Sequence, residues 1–145
     1  MNYEDMLSAS RSMNETNDCA VKAVAVVTGL PYSDTHSRMA RKGREARKGT
    51  PNAITRQVLS DLGLVATPIA VRSKTVRTLG REFKYRSGDY LVWTSGGRHL
   101  MAIKDGKVCD WTKGRLHRVY RVEKVMASPG ALACNTQPGS NNEQI

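Results

Sequence analysis

No apolar run in this chain approaches the roughly 18 residues that a membrane-spanning helix requires, so no membrane span is expected. The opening stretch, Met1 to Met13, is polar and carries Glu4 and Asp5, which excludes a secretory signal with its basic end and apolar centre. The expected location is therefore the cytoplasm. Cysteine is scarce: Cys19, Cys109 and Cys134 stand at unrelated spacings and form no C-x-x-C pair, which excludes a zinc ribbon and a thioredoxin-type motif. An odd cysteine count without an export signal predicts free thiols in a reducing compartment. No internal repeat is present, and repeat architectures are excluded with it.

What is there suffices for one domain. The chain has 145 residues, 39% hydrophobic and 25% charged, close to ordinary globular usage and long enough to bury a single core. The domain is expected over residues 1–126. Residues 127–145, rich in Gly, Pro, Ser, Asn and Gln, are expected to form a disordered polar tail. A net charge of +10 attracts nucleic acid, acidic protein surfaces and anionic lipid over long range.

Along the chain, helical signals precede strand signals. Residues 1–16 read as a polar lead-in. Asn17 and Asp18 stand before the dense run Cys19-Ala-Val-Lys-Ala-Val-Ala-Val-Val-Thr28, and Gly29 follows it, which are start and stop signals for a helix buried nearly all round. A second helix is expected from Ser33 to about Lys48. A third runs from about Asn52 to Leu62, with Thr50 at its cap and Pro51 at its first position. Leu64 to Val71, broken by Pro68, reads as an edge strand or linker. Lys74 to Phe83 reads as a short basic helix. Strands follow at Tyr90–Thr94, His99–Ile103, Val108–Trp111 and Leu116–Val125. The expectation is an α+β domain.

The chemistry is expected where these two halves meet. A helix N-terminus presents unpaired N–H groups and partial positive charge, so a cysteine at that position is favoured as thiolate, the nucleophilic form. Asp105-Gly106 between apolar runs signals a two-residue hairpin turn. In that register Lys104 faces Lys107 and Met101 faces Asp110, which makes His99 and Asp110 diagonal neighbours on one face. A carboxylate beside an imidazole fixes its tautomer and supports its protonated form. Cys19, His99 and Asp110 are thus the expected nucleophile, base and orienting acid. Cys109 falls on the other face as a packing residue, so a metal site built from Cys19, His99, Cys109 and Asp110 is ruled out by alternation. No metal or cofactor is expected.

Asn17-Asp18-Cys19-Ala-x-x-Ala, followed far downstream by Gly97-Arg98-His99-Leu-Met-Ala-Ile-Lys-Asp-Gly-Lys-Val-Cys-Asp110-Trp111, resembles the papain-like cysteine peptidases. The compact form is similar to bacteriocin-leader peptidase domains and to short papain-like proteins of bacteriophage genomes, over roughly residues 14 to 125. The resemblance implies a papain-like fold, with an N-terminal helical lobe packed on a C-terminal antiparallel sheet of about four strands. It implies a thiol hydrolase acting on a protein or peptide substrate, in the host cytoplasm if phage-encoded. Such peptidases carry a Gln shortly before the cysteine to complete the oxyanion hole. Met13 stands there in this chain; Asn14 and Asn17 are the nearest amides, and Asn17 is the expected substitute.

A rival reading starts from the charge. Arg38, Arg41, Lys42, Arg44, Arg47 and Lys48 place six cations in eleven residues. On one helix they are candidate binding residues for nucleic acid or an acidic host protein, with strongly salt-dependent affinity. The plainer alternative is a solvated helix face, and with only Tyr32 nearby there is little to stack single-stranded bases. The rival protein is a basic effector that binds without turnover. A cell-wall endopeptidase would share the Cys/His pair. His36 and His117 read as solvated surface groups, and Trp93 and Trp111 as packing residues of the sheet.

Overall fold

The chain's computed structural model describes residues 3–109 and 117–129. Within them run helices α1 (Tyr3–Ser12), α2 (Cys19–Thr28), α3 (Tyr32–Arg41), α4 (Asn52–Asp61) and α5 (Val76–Glu82). The strands are β1 (Leu64–Ile69), β2 (Asp89–Thr94), β3 (His99–Lys104), β4 (Lys107–Cys109) and β5 (Val119–Ala127). The strands form one antiparallel sheet in the order β1-β5-β2-β3-β4. The α+β expectation holds, with five strands among the described residues rather than four, because β1 joins the sheet.

Helix α2 is the centre of the larger core. Its valines are poor helix formers on their own, but Ala20 to Val27 are all buried, and burial of each large aliphatic side chain contributes about 1.5–3 kcal/mol, which overrides propensity. Gly29 ends the helix in the left-handed conformation (φ 75°) and returns its N–H to Ala25 and Val26. Lys22, the one charged residue in the run, is buried and reaches Asp18 at 3.2 Å.

Alternation along the strands separates two cores. Leu91, Trp93, Leu100, Ala102 and Val125 pack with α2 and with Tyr32, Met39, Ile54, Val58 and Leu59. Tyr90, Val92, Met101, Ile103 and Val122 pack with Val76, Leu79 and Phe83 of α5. The sheet is therefore covered on both faces: the α2 side by the larger core, the other side by α5. Among the buried polar groups, Glu123 of β5 accepts from Arg56 of α4 at 2.8 Å and from the Trp93 indole at 3.3 Å. Pro68 sits in β1, an edge strand that among the described residues pairs with β5 alone, the place where a sheet tolerates a residue without an N–H.

Two further expectations are corrected. The lead-in is helical: α1 buries Met6 and Ser10. The basic helix stops at Arg41, and Gly43 (φ 108°) turns the chain away, so Arg44, Arg47 and Lys48 lie beyond it. No helix among the described residues is long and apolar enough to cross a membrane. Ala127 still belongs to β5, and the expected tail from 130 onward lies outside the described residues.

The hairpin register is the expected one: Lys104 pairs with Lys107 and Ala102 with Cys109. Asp105 (φ 49°) and Gly106 (φ 83°) both take positive φ, the type I′ requirement. A Cβ at Gly106 would collide with the Lys84 carbonyl and stand 2.9 Å from that of Phe83, backbone atoms that cannot move aside cheaply. Gly106→Ala is expected to destabilise the protein by about 1–3 kcal/mol in chemical denaturation. An unchanged midpoint would mean the turn does not press on the end of α5.

Candidate active site at the head of the buried helix

Cys19 is the first residue of α2 and is half-buried. Asp18 holds the N-cap position, yet its carboxylate makes no capping bond. It turns instead to Ser10 Oγ (2.7 Å), the Tyr32 hydroxyl (2.5 Å) and Lys22 Nζ (3.2 Å). Burial pushes this carboxyl up, but the Tyr32 and Ser10 hydroxyls and the Lys22 charge outweigh burial and hold it below the usual carboxylate range. The same contact and burial push the Tyr32 hydroxyl far up, keeping it a donor. Asp18 thus gives the first turn of α2 no side-chain cap, and the Ala20 N–H of that turn bonds the Cys19 sulfur instead.

Burial also pushes the Cys19 thiol up. A hydrogen bond with the His99 side chain, the Leu100 N–H, the charge on His99 and the Ala20 N–H act the other way and win, so the thiol lies below its ordinary value. Cys109 shows the contrast: it is partly buried against the α2-side core, burial dominates, and its thiol is raised. Two half-buried cysteines in one domain are thus pushed in opposite directions. The difference is the helix start and the imidazole.

The structure brings Cys19 and His99 together as the sequence predicts. Asp110 and Trp111 lie outside the described residues, as does Cys134. Asn17, the expected oxyanion donor, is exposed in a left-handed conformation (φ 53°) and gives its side-chain N–H to the Arg47 carbonyl at 3.2 Å. The N–H groups that reach the sulfur are those of Ala20 and Leu100. That corrects the Asn17 assignment: its amide ties the loop down.

The basic segment is corrected in the same way. Arg44 is buried, in a two-pronged ion pair with Glu15 at 3.0 and 3.1 Å. Glu15 also accepts from His36 Nε2 at 2.6 Å and from the Arg47 N–H at 2.9 Å. Arg38 pairs with Asp34 at 3.3 Å, Lys42 with Asp61 at 2.7 Å and Lys48 with Glu45 at 3.1 Å. Arg41 and Arg47 are exposed. Of these six only Arg44 is buried, and with the Arg47 N–H it holds Glu15 in the loop that delivers Cys19, whereas Arg38, Lys42 and Lys48 pair at the surface. His36 is consequently a member of a buried network, rather than a surface group.

Sequence reasoning also missed His117. It is half-buried, and its ring meets the His99 ring edge to face, with centroids 5.9 Å apart and planes at 87°. The signal that hides it is a β-bulge. Trp93 pairs with Arg121 but Thr94 with Val119, so Tyr120 is an extra residue on β5. Alternation counted back from Val122 assigns His117 to the wrong face. Among the described residues, no three His, Cys, Asp or Glu side chains converge as metal ligands.

Comparison with family models, with curated proteins and with solved structures finds no match to this chain.

Glu15 provides a test of the supporting network. Burial pushes its carboxyl up, but Arg44, His36 and the Arg47 N–H outweigh it and lower the pKa from 4.5 to about 2. A folded pKa below the unfolded one stabilises the fold above the unfolded value, and that contribution disappears as pH falls from about 4.5 toward about 2. Glu15→Gln is expected to lose a few kcal/mol at neutral pH and to flatten the acid limb of the stability profile. An acid limb identical to that of the parent protein would contradict the network.

Proposed function

We propose that this chain is a papain-like thiol hydrolase that cleaves an amide, isopeptide or related acyl bond. The observation that supports it is the hydrogen-bonded pair of Cys19 and His99 at the uncapped start of α2, with the thiol lowered below its ordinary value despite burial.

In this reading the Cys19 thiolate attacks the substrate carbonyl carbon, forming a C–S bond and a tetrahedral oxyanion. Backbone N–H groups at the head of α2 stabilise that oxyanion in place of a side-chain amide. Protonated His99 gives its proton to the leaving amine as the C–N bond breaks, leaving a thioester on Cys19. His99 then takes a proton from water, whose oxygen attacks the thioester. The C–S bond breaks, the acid product leaves, and the proton returns to the Cys19–His99 pair. Asp110, which lies outside the described residues, is the carboxylate that the hairpin reading of the sequence assigns to orient the ring. A protein or peptide is the expected substrate.

The rival, a basic effector that binds an acidic host protein or nucleic acid, retains only Arg41 and Arg47 as exposed members of its segment that make no side-chain ion pair among the described residues. Arg44 cannot be used to test it, since reversing a buried charge would unfold the loop.

A thiol electrophile with site mapping by mass spectrometry separates the two. At neutral pH, Cys19 is expected to react at least about tenfold faster than Cys109, since each unit of pKa changes the thiolate fraction tenfold. His99→Ala should remove the preference, and Cys19→Ala should abolish hydrolysis of a peptide substrate. Equal labelling of Cys19 and Cys109 in the parent protein would overturn the hydrolase reading. Loss of partner binding on reversal of Arg41 and Arg47, with Cys19→Ala fully active, would establish the effector instead.

A further inference from the structure

We propose that His117 is a positioning residue for His99: its ring braces the His99 imidazole in the plane that presents it to the Cys19 sulfur. The proposal rests on the thiol reading above and adds to it a residue outside the nucleophile, base and acid set.

His99 needs bracing because of where it stands. It opens β3 directly after the 3-10 turn Ser95–Gly97, in which Ser95, Gly96 and Gly97 all take positive φ (53°, 67° and 92°). A strand end entered through two glycines is held poorly by its own backbone. His117 is the opposite case. Its carbonyl accepts from the Val76 N–H at 3.0 Å, the first N–H of α5. The next residue, Arg118, bridges to Thr75, and Val119 donates to the Lys74 carbonyl at 2.8 Å. Thr75 is itself locked in a capping box with Thr78. The His117 backbone is thus clamped between the α5 N-terminus and the sheet.

The bulge completes the arrangement. His99 pairs with Thr94, and Thr94 pairs with Val119. The extra residue, Tyr120, shifts the parity of β5, so that Val119 packs with the α5-side core and His117, two residues earlier, falls on the same face. Without the bulge His117 would face the other side of the sheet. The two rings then meet at 5.9 Å and 87°, the edge-to-face geometry that aromatic rings favour over parallel stacking. The His117 Nδ1 is buried and has no hydrogen-bond partner among the described residues, so on that side the ring acts as an aromatic body rather than as a donor or acceptor.

Two variants separate bracing from a merely structural role. His117→Leu keeps similar bulk and removes the ring; His117→Phe keeps an aromatic edge and face without a proton to exchange. Each is made in the full chain, checked for folding by circular dichroism, and read in two ways. The first is the His99 ring proton resonance in protein carrying isotope-labelled histidine, assigned with His99→Ala. The second is the pH profile of Cys19 alkylation. In His117→Leu the His99 resonance is expected to lose its ring-current displacement. Cys19 alkylation should slow about three- to tenfold, the range one aromatic pair supports, with its pH midpoint moved upward. His117→Phe should restore both. An unmoved His99 resonance and an unchanged profile in His117→Leu would overturn the proposal, as would a His117→Phe protein that behaves like His117→Leu. If Cys19 of the parent protein alkylates no faster than Cys109, the hydrolase reading fails separately, while the His99 resonance still decides whether His117 holds that ring.

Discussion

The hydrogen bond between the Cys19 thiol and the His99 ring joins the helical half of this molecule to its sheet. It forms at the head of α2, where Asp18 gives the first turn no side-chain cap and the Ala20 N–H bonds the sulfur. Burial alone pushes that thiol up, as it does Cys109, and the imidazole together with the Leu100 and Ala20 N–H groups reverses the direction. The bond requires that α2 be fixed in place, which its nearly complete burial ensures, and that its first residue not swing away.

Two polar networks secure that first residue. Asp18, immediately before it, is anchored to α1 through Ser10, to α3 through Tyr32 and to α2 itself through Lys22. Glu15, three residues further back, gathers His36, Arg44 and the Arg47 backbone. Both acids are fully paired, the condition under which buried charge is tolerable. Seen this way, part of the chain's positive charge is internal scaffolding. Arg44 acts as the counter-ion that lets the loop before Cys19 be rigid. The sheet supplies the other side of the site through two local devices, the Asp105-Gly106 turn that fixes the β3–β4 register and the bulge at Tyr120 that re-aims β5.

Features carried by local signals were legible in the sequence. Gly29 closing an apolar run, Asp105-Gly106 between strands and Pro68 in an edge segment each act through their own backbone, and each does what its chemistry dictates. The meeting of Cys19 with His99 was expected from their chemistry and from the family resemblance, the hairpin supplying only the place of His99 on its strand. Features that depend on distant partners were not legible. Helix α1 is polar along most of its length and buries chiefly Met6, a pattern too weak to distinguish from a solvated lead-in. Asp18 looked like a helix cap, because nothing local shows that Tyr32, fourteen residues on, captures its carboxylate. The basic run concealed Gly43, which ends the helical conformation, and Glu15, which claims Arg44. His117 read as a solvated surface group, since nothing local shows the bulge at Tyr120 that brings it to the His99 ring. Tertiary contacts, rather than propensity, decide each of these.

The most direct measure of the central claim is the ultraviolet absorbance of the thiolate, followed against pH as the difference between the parent protein and Cys19→Ser. The account predicts a titration midpoint below that of an ordinary thiol, moving back up in His99→Ala as the imidazole is lost. A midpoint at or above the ordinary value, indifferent to His99, would show that the sulfur is a packing group and that the junction of helix and sheet carries no nucleophile.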